Sequence, residues 1–151
     1  MRLTEVWRAD PERTFELFSE FPADENGFEN QAAGMDRERF AVYVHELEEQ
    51  SRGIGLPPGW VPSSKYVLIN DEGAYVGIFN LRHRLNDNLR VGAGHIGYGI
   101  APQYRGRGYA TVGLRLTLDK ARELGIDEAY LSVHKDNRAS LAVQQHCGAR
   151  I

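Results

Sequence analysis

Cysteine is nearly missing from this sequence: Cys147 is the single one among 151 residues. One cysteine cannot form an intrachain disulfide, which excludes a disulfide-stapled extracellular module and fits a reducing compartment. No apolar run approaches the roughly 20 residues that a membrane helix needs, and the first residues lack the apolar core of a signal peptide. We therefore predict a cytoplasmic protein with no membrane partner.

An excess of charge of either sign is also missing, since 18 Lys and Arg face 21 Asp and Glu. Proteins that follow a nucleic-acid backbone usually carry a basic excess, so a nucleic-acid partner is not predicted. The sequence has no internal repeat and no low-complexity segment. Its length suits one domain with its own core, and we predict a single domain over residues 1–151.

The segments that are present alternate between strand-like and helix-like patterns. Residues 2–7 predict a strand, and Asp10 and Asp36 are placed to cap two helices that follow it. The irregular, apolar stretch 53–62 predicts an ordered loop over a pocket. Two β-rich runs, 66–69 and 74–81, flank the turn residues 70–73, which predicts an antiparallel hairpin.

The second half of the chain continues the alternation. A turn over 86–88 leads to a strand over 94–101, then to an amphipathic helix that ends at Gly125. A strand over 127–133 and a last helix from Arg138 to about Cys147, capped by Asn137, complete the pattern. The order of elements predicts a mixed α/β fold: one central, mixed but mostly antiparallel, twisted sheet flanked by helices.

The most distinctive segment is the turn between the predicted strand over 94–101 and the helix after it, Pro-Gln-Tyr-Arg-Gly-Arg-Gly-Tyr-Ala at 102–110. Glycines let a backbone approach a ligand closely, and the first turn of a helix offers free amide donors to an anion. Arg105 and Arg107 add positive charge in a geometry that suits phosphate. The segment therefore predicts a phosphate-binding turn.

Two other glycine motifs compete with this interpretation. Residues 92–97 fit the dinucleotide pattern G-x-G-x-x-G, but that pattern must open a helix, and the following Tyr-Gly-Ile-Ala-Pro cannot. A Walker loop needs Lys-Ser/Thr after its last glycine, where this sequence has Tyr109 and Ala110. Neither nucleotide motif is therefore predicted.

The turn resembles the acyl-CoA signature R/Q-x-x-G-x-G/A of the GCN5-related N-acetyltransferase (GNAT) family. Arg105–Ala110 fits this signature, and the run Ile-Gly-Tyr-Gly-Ile-Ala-Pro at 96–102 precedes it as in that family. The family's N-x-x-S fits Asn137–Ser140, and its helix-ending glycine fits Gly148. These motifs cover residues 93–148, and they imply a GNAT-like fold.

The resemblance implies an acetyl-CoA-dependent N-acetyltransferase with no metal site. The pantetheine arm would lie beside the strand that ends at Ala101, in a splay between it and residues 127–133, with the Ile100 N–H polarising the thioester carbonyl. Asn137 and Ser140 would face the CoA arm, or else serve only as a helix cap. The pyrophosphate would lie on the turn, at Arg105, Gly106, Arg107, Gly108, Tyr109 and Ala110.

Transfer to an amine needs a base, and leaving of the thiolate is helped by an acid. His95 stands where many relatives have a glutamate, which makes it the candidate base, with a structural strand histidine as the alternative. The tyrosine that serves as the acid in many relatives is replaced by Gln144. Substitutes for it are Tyr98, His83 and His134, whereas Cys147 is predicted to be a core residue.

The acceptor predicted from the resemblance is a primary amine of a small molecule or peptide, attacked directly in a ternary complex. The walls of the acceptor site would be the segments 24–34, 56–60 and 82–90. Asp24, Glu25 and Glu29 of the first segment could attract a cationic amine. The alternative is a non-catalytic acyl-CoA-binding module. Members of the family continue past the Gly148 position with two more strands, so either the chain is truncated or a neighbouring subunit completes the sheet. In the second case the open sheet edge predicts a homodimer.

Overall fold

The structure, a computed structural model, describes residues 1–25, 28–92, 94–133 and 136–150. Its strands and helices follow the chain in this order: β1 (Arg2–Glu5), α1 (Pro11–Ser19), β2 (Asp24–Glu25), β3 (Phe28–Glu29), α2 (Arg37–Ser51), β4 (Ser63–Ile69), β5 (Tyr75–Arg82), α3 (Asp87–Val91), β6 (Ile96–Ile100), α4 (Tyr109–Glu123) and α5 (Arg138–His146). Short 3-10 turns lie at Val6–Arg8 and Pro102–Tyr104.

The central sheet has the order β1-β4-β5-β6, and each of its described strand pairs is antiparallel. The two-residue strands β2 and β3 form a separate small hairpin. The β4–β5 register places Lys65 opposite Asn80, and the β5–β6 register places Asn80 opposite Gly97. These three residues therefore form one row across three strands.

Helices cover the sheet on both faces and divide the core into two layers. On one face, side chains of α1 and α2 such as Phe18 and Phe40 pack on Val67 and Ile78. On the other face, Leu114 of α4 packs among Leu68, Phe79 and Leu81. Alternate residues thus belong to opposite layers along β6, along β4 up to Leu68 and along β5 from Gly77, beyond the irregularity that displaces Val76.

The predicted helix caps and the predicted hairpin are confirmed. Asp10 Oδ1 accepts the Arg13 N–H at 2.9 Å and Asp36 Oδ1 accepts the Arg39 N–H at 2.8 Å, so each aspartate satisfies an amide that its helix leaves free. In the turn between β4 and β5, Asn70 Oδ1 accepts the Ala74 N–H at 2.8 Å. The mixed α/β fold with an antiparallel sheet between helices is as predicted.

Two local predictions are wrong. Residues 86–88 do not form a simple turn, because the Asn86 side chain accepts the Leu89 N–H at 3.0 Å and begins the short helix α3. Residues 127–133 do not form a strand, and only Leu131 makes a bridge, to Gly94. A strand is held by its ladder partners, and this segment touches β6 at one end only.

Within the ranges described above, the structure contains no helix that is both long enough and apolar enough to cross a bilayer.

Candidate functional site

The outer edge of β6 carries backbone groups that β5 does not use. The Arg82 N–H donates to the His95 carbonyl at 2.7 Å, and the Ala101 N–H donates to the Val76 carbonyl at 2.9 Å. Because backbone groups alternate in direction along a strand, the N–H and C=O groups of Tyr98 and Ile100 point away from β5. The structure thus presents the Ile100 amide at the edge, whereas the Ala101 amide is turned inward.

The segment after α4 meets β6 at a single point and then separates from it. The His95 N–H donates to the Tyr130 carbonyl at 2.7 Å, beside the bridge between Gly94 and Leu131. Gly94 has φ +69°, and a Cβ there would lie 2.3 Å from the Tyr130 oxygen, so only glycine permits this approach. Among the described residues no further bridge joins residues 127–133 to Ile96–Ile100, and we call this unpaired edge of β6, beyond the single antiparallel bridge, the splay.

The glycine turn follows Ile100, at the end of β6 that lies farther from the bridge at Gly94. Gly106 and Gly108 have φ +75° and +82°, the left-handed region that favours glycine, and a Cβ at either would meet no atom within 4 Å. Gly108 is the N-cap of α4, and no side chain caps the first turn of that helix. The turn therefore offers bare backbone amides to a ligand.

Four side chains of the turn contact different parts of the protein. Arg105 forms an ion pair with Glu25 of β2, and its Nε donates to the Ile100 carbonyl at 2.9 Å. Arg107 lies over the Tyr104 ring at 5.8 Å. The Tyr109 hydroxyl accepts from Asn70 Nδ2 at 3.1 Å and so fastens the start of α4 to the β4–β5 turn. Ala110 packs in the layer of α4.

The opposite wall of the splay is α5, and Tyr98 reaches it. Asn137 Oδ1 accepts the Ser140 N–H at 3.2 Å, which is an N-cap. The Ser140 hydroxyl lies 2.7 Å from the Tyr98 hydroxyl, and the buried Gln144 follows one turn later. Burial raises the pKa of Tyr98, so the phenol keeps its proton at neutral pH.

His95 is 6% exposed and its ring has a fixed partner. Nδ1 accepts the Tyr130 N–H at 3.0 Å, so the neutral ring carries its hydrogen on Nε2. Burial, followed by the charges of Arg82 and Arg90, lowers the pKa of His95. In this arrangement the ring is neutral at pH 7 and its outer nitrogen is a donor. The role of His95 as a base stays a prediction.

The other candidates for an acid lie elsewhere or are not described. His83 Nε2 is 2.8 Å from the Ser64 hydroxyl, at the end of β5. His134 lies outside the described residues. Cys147 Sγ donates to the Thr111 carbonyl at 3.6 Å and burial raises the pKa of its thiol, as expected of an unreactive core cysteine.

The face of the sheet that α1 and α2 cover holds an open space beside β6. A Cβ at Gly97 would meet no atom within 4 Å, whereas a Cβ at Gly99 would meet the rings of Phe21 and Phe28. Phe28 thus brings the segment 24–34 to this space. The segments 56–60 and 82–90 are joined to each other, because Asn86 Nδ2 donates to the Gly59 carbonyl at 2.8 Å.

Two residues on this face were not singled out from the sequence, Lys65 and Asn80. Asn80 lies between Phe79 and Leu81 in a largely apolar strand, and that interruption of an apolar pattern is the signal that could have identified it. Lys65 follows Ser63 and Ser64 at the polar start of β4, so its local sequence carries no such signal. Their neighbour Arg82 was included only as the first residue of a predicted wall.

A family model described as "Acetyltransferase (GNAT) domain" matches residues 2–150. A structure of an acetyltransferase of the GNAT family from Streptococcus pneumoniae is 16% identical and has a TM-score of 0.59, with 97% of this chain and 82% of that chain covered. The aminoglycoside 6'-N-acetyltransferase AAC(6')-IG from Acinetobacter haemolyticus is 15% identical with a TM-score of 0.60, covering 100% and 92%.

Mycobacterium smegmatis RimJ, solved in complex with CoA-disulfide, is 25% identical with a TM-score of 0.54, and the match covers 78% of this chain. The chain spans only 55% of the length of RimJ. A search of curated proteins found no match.

Proposed function

The chain belongs to the GNAT acetyltransferase family, and on that premise we propose that it transfers the acetyl group of acetyl-CoA to a primary amine of a small molecule or peptide. The observation that carries the proposal is the splay beside β6, which opens onto the bare glycine turn. Acetyl-CoA supplies the acetyl group as a thioester. The residues of this chain bind it, orient it and handle the protons.

The backbone provides most of the binding groups. The amides from Gly106 to Ala110 would hold the pyrophosphate, because they stand at the start of α4 with no competing side chain. The outward N–H of Ile100 would donate to the thioester carbonyl, where negative charge develops during attack. Asn137 and Ser140 would line the CoA arm from α5. That a CoA disulfide is bound in RimJ supports this choice of ligand.

Tyr98 is our candidate for the acid. Its hydroxyl lies against Ser140 and Gln144 on α5. In many relatives the position of Gln144 holds the tyrosine that serves as the acid. The Tyr98 phenol is protonated at neutral pH and so has a proton to give to the departing thiolate, although burial, which raises its pKa, makes it a weaker acid. Tyr98 thus offers, from a strand, the hydroxyl that Gln144 cannot supply.

The acceptor must lose a proton before or during attack on the carbonyl carbon. A lysine-like amine at pH 7 is neutral in only about one molecule in a few thousand, a deficit of roughly 4–5 kcal/mol. His95, directly or through water, is the proposed acceptor of that proton. It would have to exchange its hydrogen bond to Tyr130 in order to accept through Nδ1.

A second candidate function is a non-catalytic acyl-CoA-binding module. Gln144 at the position of the family's tyrosine and the occupied Nδ1 of His95 favour it. For either function we propose that the protein is cytoplasmic, because a single cysteine fits a reducing compartment. The predicted homodimer stays a prediction that sedimentation would test.

A matched pair of glycine substitutions tests the coenzyme site. Gly108→Val and Gly125→Val each place a side chain at φ +82°, one at each end of α4, and each Cβ enters open space. Both variants should lose similar stability, about 1–2 kcal/mol. Acetyl-CoA should raise the melting temperature of the parent and of Gly125→Val but not of Gly108→Val. Equal shifts in both variants would refute the placement.

Release of CoA thiol with a panel of amines separates the two candidate functions. An acetyltransferase releases thiol in proportion to acetylated amine, which mass spectrometry detects. A binding module shows the thermal shift without any acetylated product.

A further inference from the structure

A row of three residues crosses the sheet and ends at the open space. Lys65 of β4, Asn80 of β5 and Gly97 of β6 are cross-strand partners. They lie on the face of α1 and α2, the same face as Val67 and Ile78. Gly97 comes directly before Tyr98 and three residues before Ile100, and the outward amides of those two residues would flank the thioester. An acceptor in front of Gly97 would therefore be near the acetyl group.

Asn80 has a polar atom that the protein leaves unsatisfied. Its side chain is 9% exposed, and Oδ1 is buried with no hydrogen-bond partner. A buried polar atom without a partner is costly, so such an atom is a sign of a missing ligand. Oδ1 can only accept a hydrogen bond, which calls for an N–H or O–H donor on the ligand.

Two cationic residues neighbour Asn80 on this face of the sheet. Lys65 is half-buried beside Asn80, and Arg82 follows two residues later in β5 on the same face. One Arg82 nitrogen, Nη1, donates to the Gly94 carbonyl at 3.2 Å. Glu29 is the carboxylate whose charge acts on Arg82, but among the described residues no carboxylate lies within 4.0 Å of either cation. The pair thus lacks the anion that half-buried cations usually have.

We propose that the space in front of Gly97 takes an acceptor amine that carries a carboxylate, as a free amino acid does. Lys65 and Arg82 bind the carboxylate, and Asn80 Oδ1 accepts a hydrogen from the amine. The inference rests on the proposed acetyl transfer and names its substrate class. It reverses the expectation from Asp24, Glu25 and Glu29 that the acceptor is a plain cation.

Repulsion by the charges of Lys65 and Arg82 would also exclude acceptors that carry several positive charges. An aminoglycoside or a polyamine brings several positive charges, and it would meet two cations with no carboxylate in contact with them. Like charges brought together out of water disfavour the wrong ligand strongly. An amino acid offers one ammonium group for Asn80 and one carboxylate for the cations, so both ends of the ligand find partners.

The experiment compares matched ligands on the CoA-saturated protein. Each of the standard L-amino acids, its α-amide and its decarboxylated amine are titrated by calorimetry, together with spermidine. We expect at least one amino acid to bind at least about tenfold more tightly than its amide. Lys65→Met should abolish that difference and Lys65→Arg should keep it, whereas Lys120→Met, which removes an ion-paired lysine of α4, should leave it unchanged.

The outcomes separate the two proposals. If acetyl-CoA stabilises the protein but acids and amides bind equally, or only spermidine binds, or no ligand binds, the carboxylate inference is wrong and the coenzyme site stands. If acetyl-CoA itself does not bind, the proposed function fails first. A Cβ at position 97 would meet no protein atom within 4 Å, so Gly97→Val should block the amino acid and preserve the acetyl-CoA shift.

Discussion

Lys65 carries its charge at a cost to the folded protein. Burial and the nearby charge of Arg82 lower the pKa of Lys65 from 10.5 to about 8. Between these two values the unfolded chain binds more protons than the folded chain, so the free energy of unfolding rises with pH. Below pH 8 both states are protonated and the full cost is present.

Removal of this group should therefore change the pH dependence of stability. We expect the parent to become more stable from pH 8 to pH 10, and Lys65→Met to lose most of that increase, as measured by urea unfolding. Lys120→Met, which removes a lysine with an ion pair to Glu123 on the surface of α4, should keep it. An increase of the same size in Lys65→Met would show that the ammonium of Lys65 is well solvated.

The hydrogen bond from the Tyr130 N–H to His95 Nδ1 gives a second prediction. The Oδ1 of asparagine can replace Nδ1 as an acceptor, whereas glutamine places its amide further out, near the position of Nε2. We expect His95→Gln to be about 1 kcal/mol less stable than His95→Asn, because the partly buried Tyr130 N–H loses its partner.

Turnover of the same two variants separates the roles of His95. If His95 is the base, both variants lose on the order of 10²-fold in turnover, and the acid limb of the parent's pH–rate profile vanishes in both. If His95 only positions Tyr130, the asparagine variant keeps most of its activity and the limb. The lowered pKa of His95 places that limb below pH 6.5.

The site residues that the sequence can predict belong to a contiguous motif. Gly106 and Gly108 stand out because a glycine turn between strand and helix has a local chemical meaning, and their part in binding stays a prediction. Lys65 and Asn80 were missed because their meaning depends on register: they become neighbours only when β4 pairs with β5. Arg105 was assigned to phosphate by its charge, and its contact with Glu25 depends on a long-range approach.

At the scale of elements, the two edges of β6 predict a pattern of amide exchange. The amides of Gly97 and Gly99 pair with β5, whereas those of Tyr98 and Ile100 face the splay. We expect acetyl-CoA to slow hydrogen exchange at Tyr98 and Ile100, with a smaller effect at the two glycines. Uniform slowing along β6 would instead indicate general stabilisation of the sheet.

The helices were the elements that the sequence predicted best, because their signals are local. Asp10, Asp36 and Asn137 each cap the helix expected of them. Residues 127–133 have the composition of a strand, yet a strand also requires a neighbour. Among the described residues the one bridge of this segment joins Leu131 to Gly94, and no local pattern records that its other residues have no strand partner.

At the scale of the whole molecule, Arg105 joins parts that are distant in the sequence. Its ion pair with Glu25 connects the glycine turn to the β2–β3 hairpin, which lies over Gly99 through Phe28. The proposed coenzyme side and the proposed acceptor side of β6 thus share one guanidinium group.

The ion pair between Arg105 and Glu25 predicts that removal of the Glu25 charge strengthens the binding of acetyl-CoA. Glu25→Gln frees Arg105 for the pyrophosphate, so we expect the dissociation constant of acetyl-CoA to fall by up to about fivefold, equivalent to about 1 kcal/mol. Glu20→Gln is the control, because Glu20 accepts from Gln103 beside the same turn at 2.8 Å without contacting Arg105. Calorimetry measures both. Unchanged affinity in Glu25→Gln would show that Arg105 takes no part in binding.

Competition between a phosphate and Glu25 for Arg105 has a consequence for the order of events in the catalytic cycle. If the pyrophosphate takes Arg105 from Glu25 as proposed, the hairpin would lose this ion pair and the approach to Gly97 would widen. When CoA leaves, the ion pair would re-form and the approach would narrow. An enzyme built in this way would follow a sequential kinetic scheme with acetyl-CoA as the leading substrate and CoA as the last product, and CoA would inhibit competitively against acetyl-CoA.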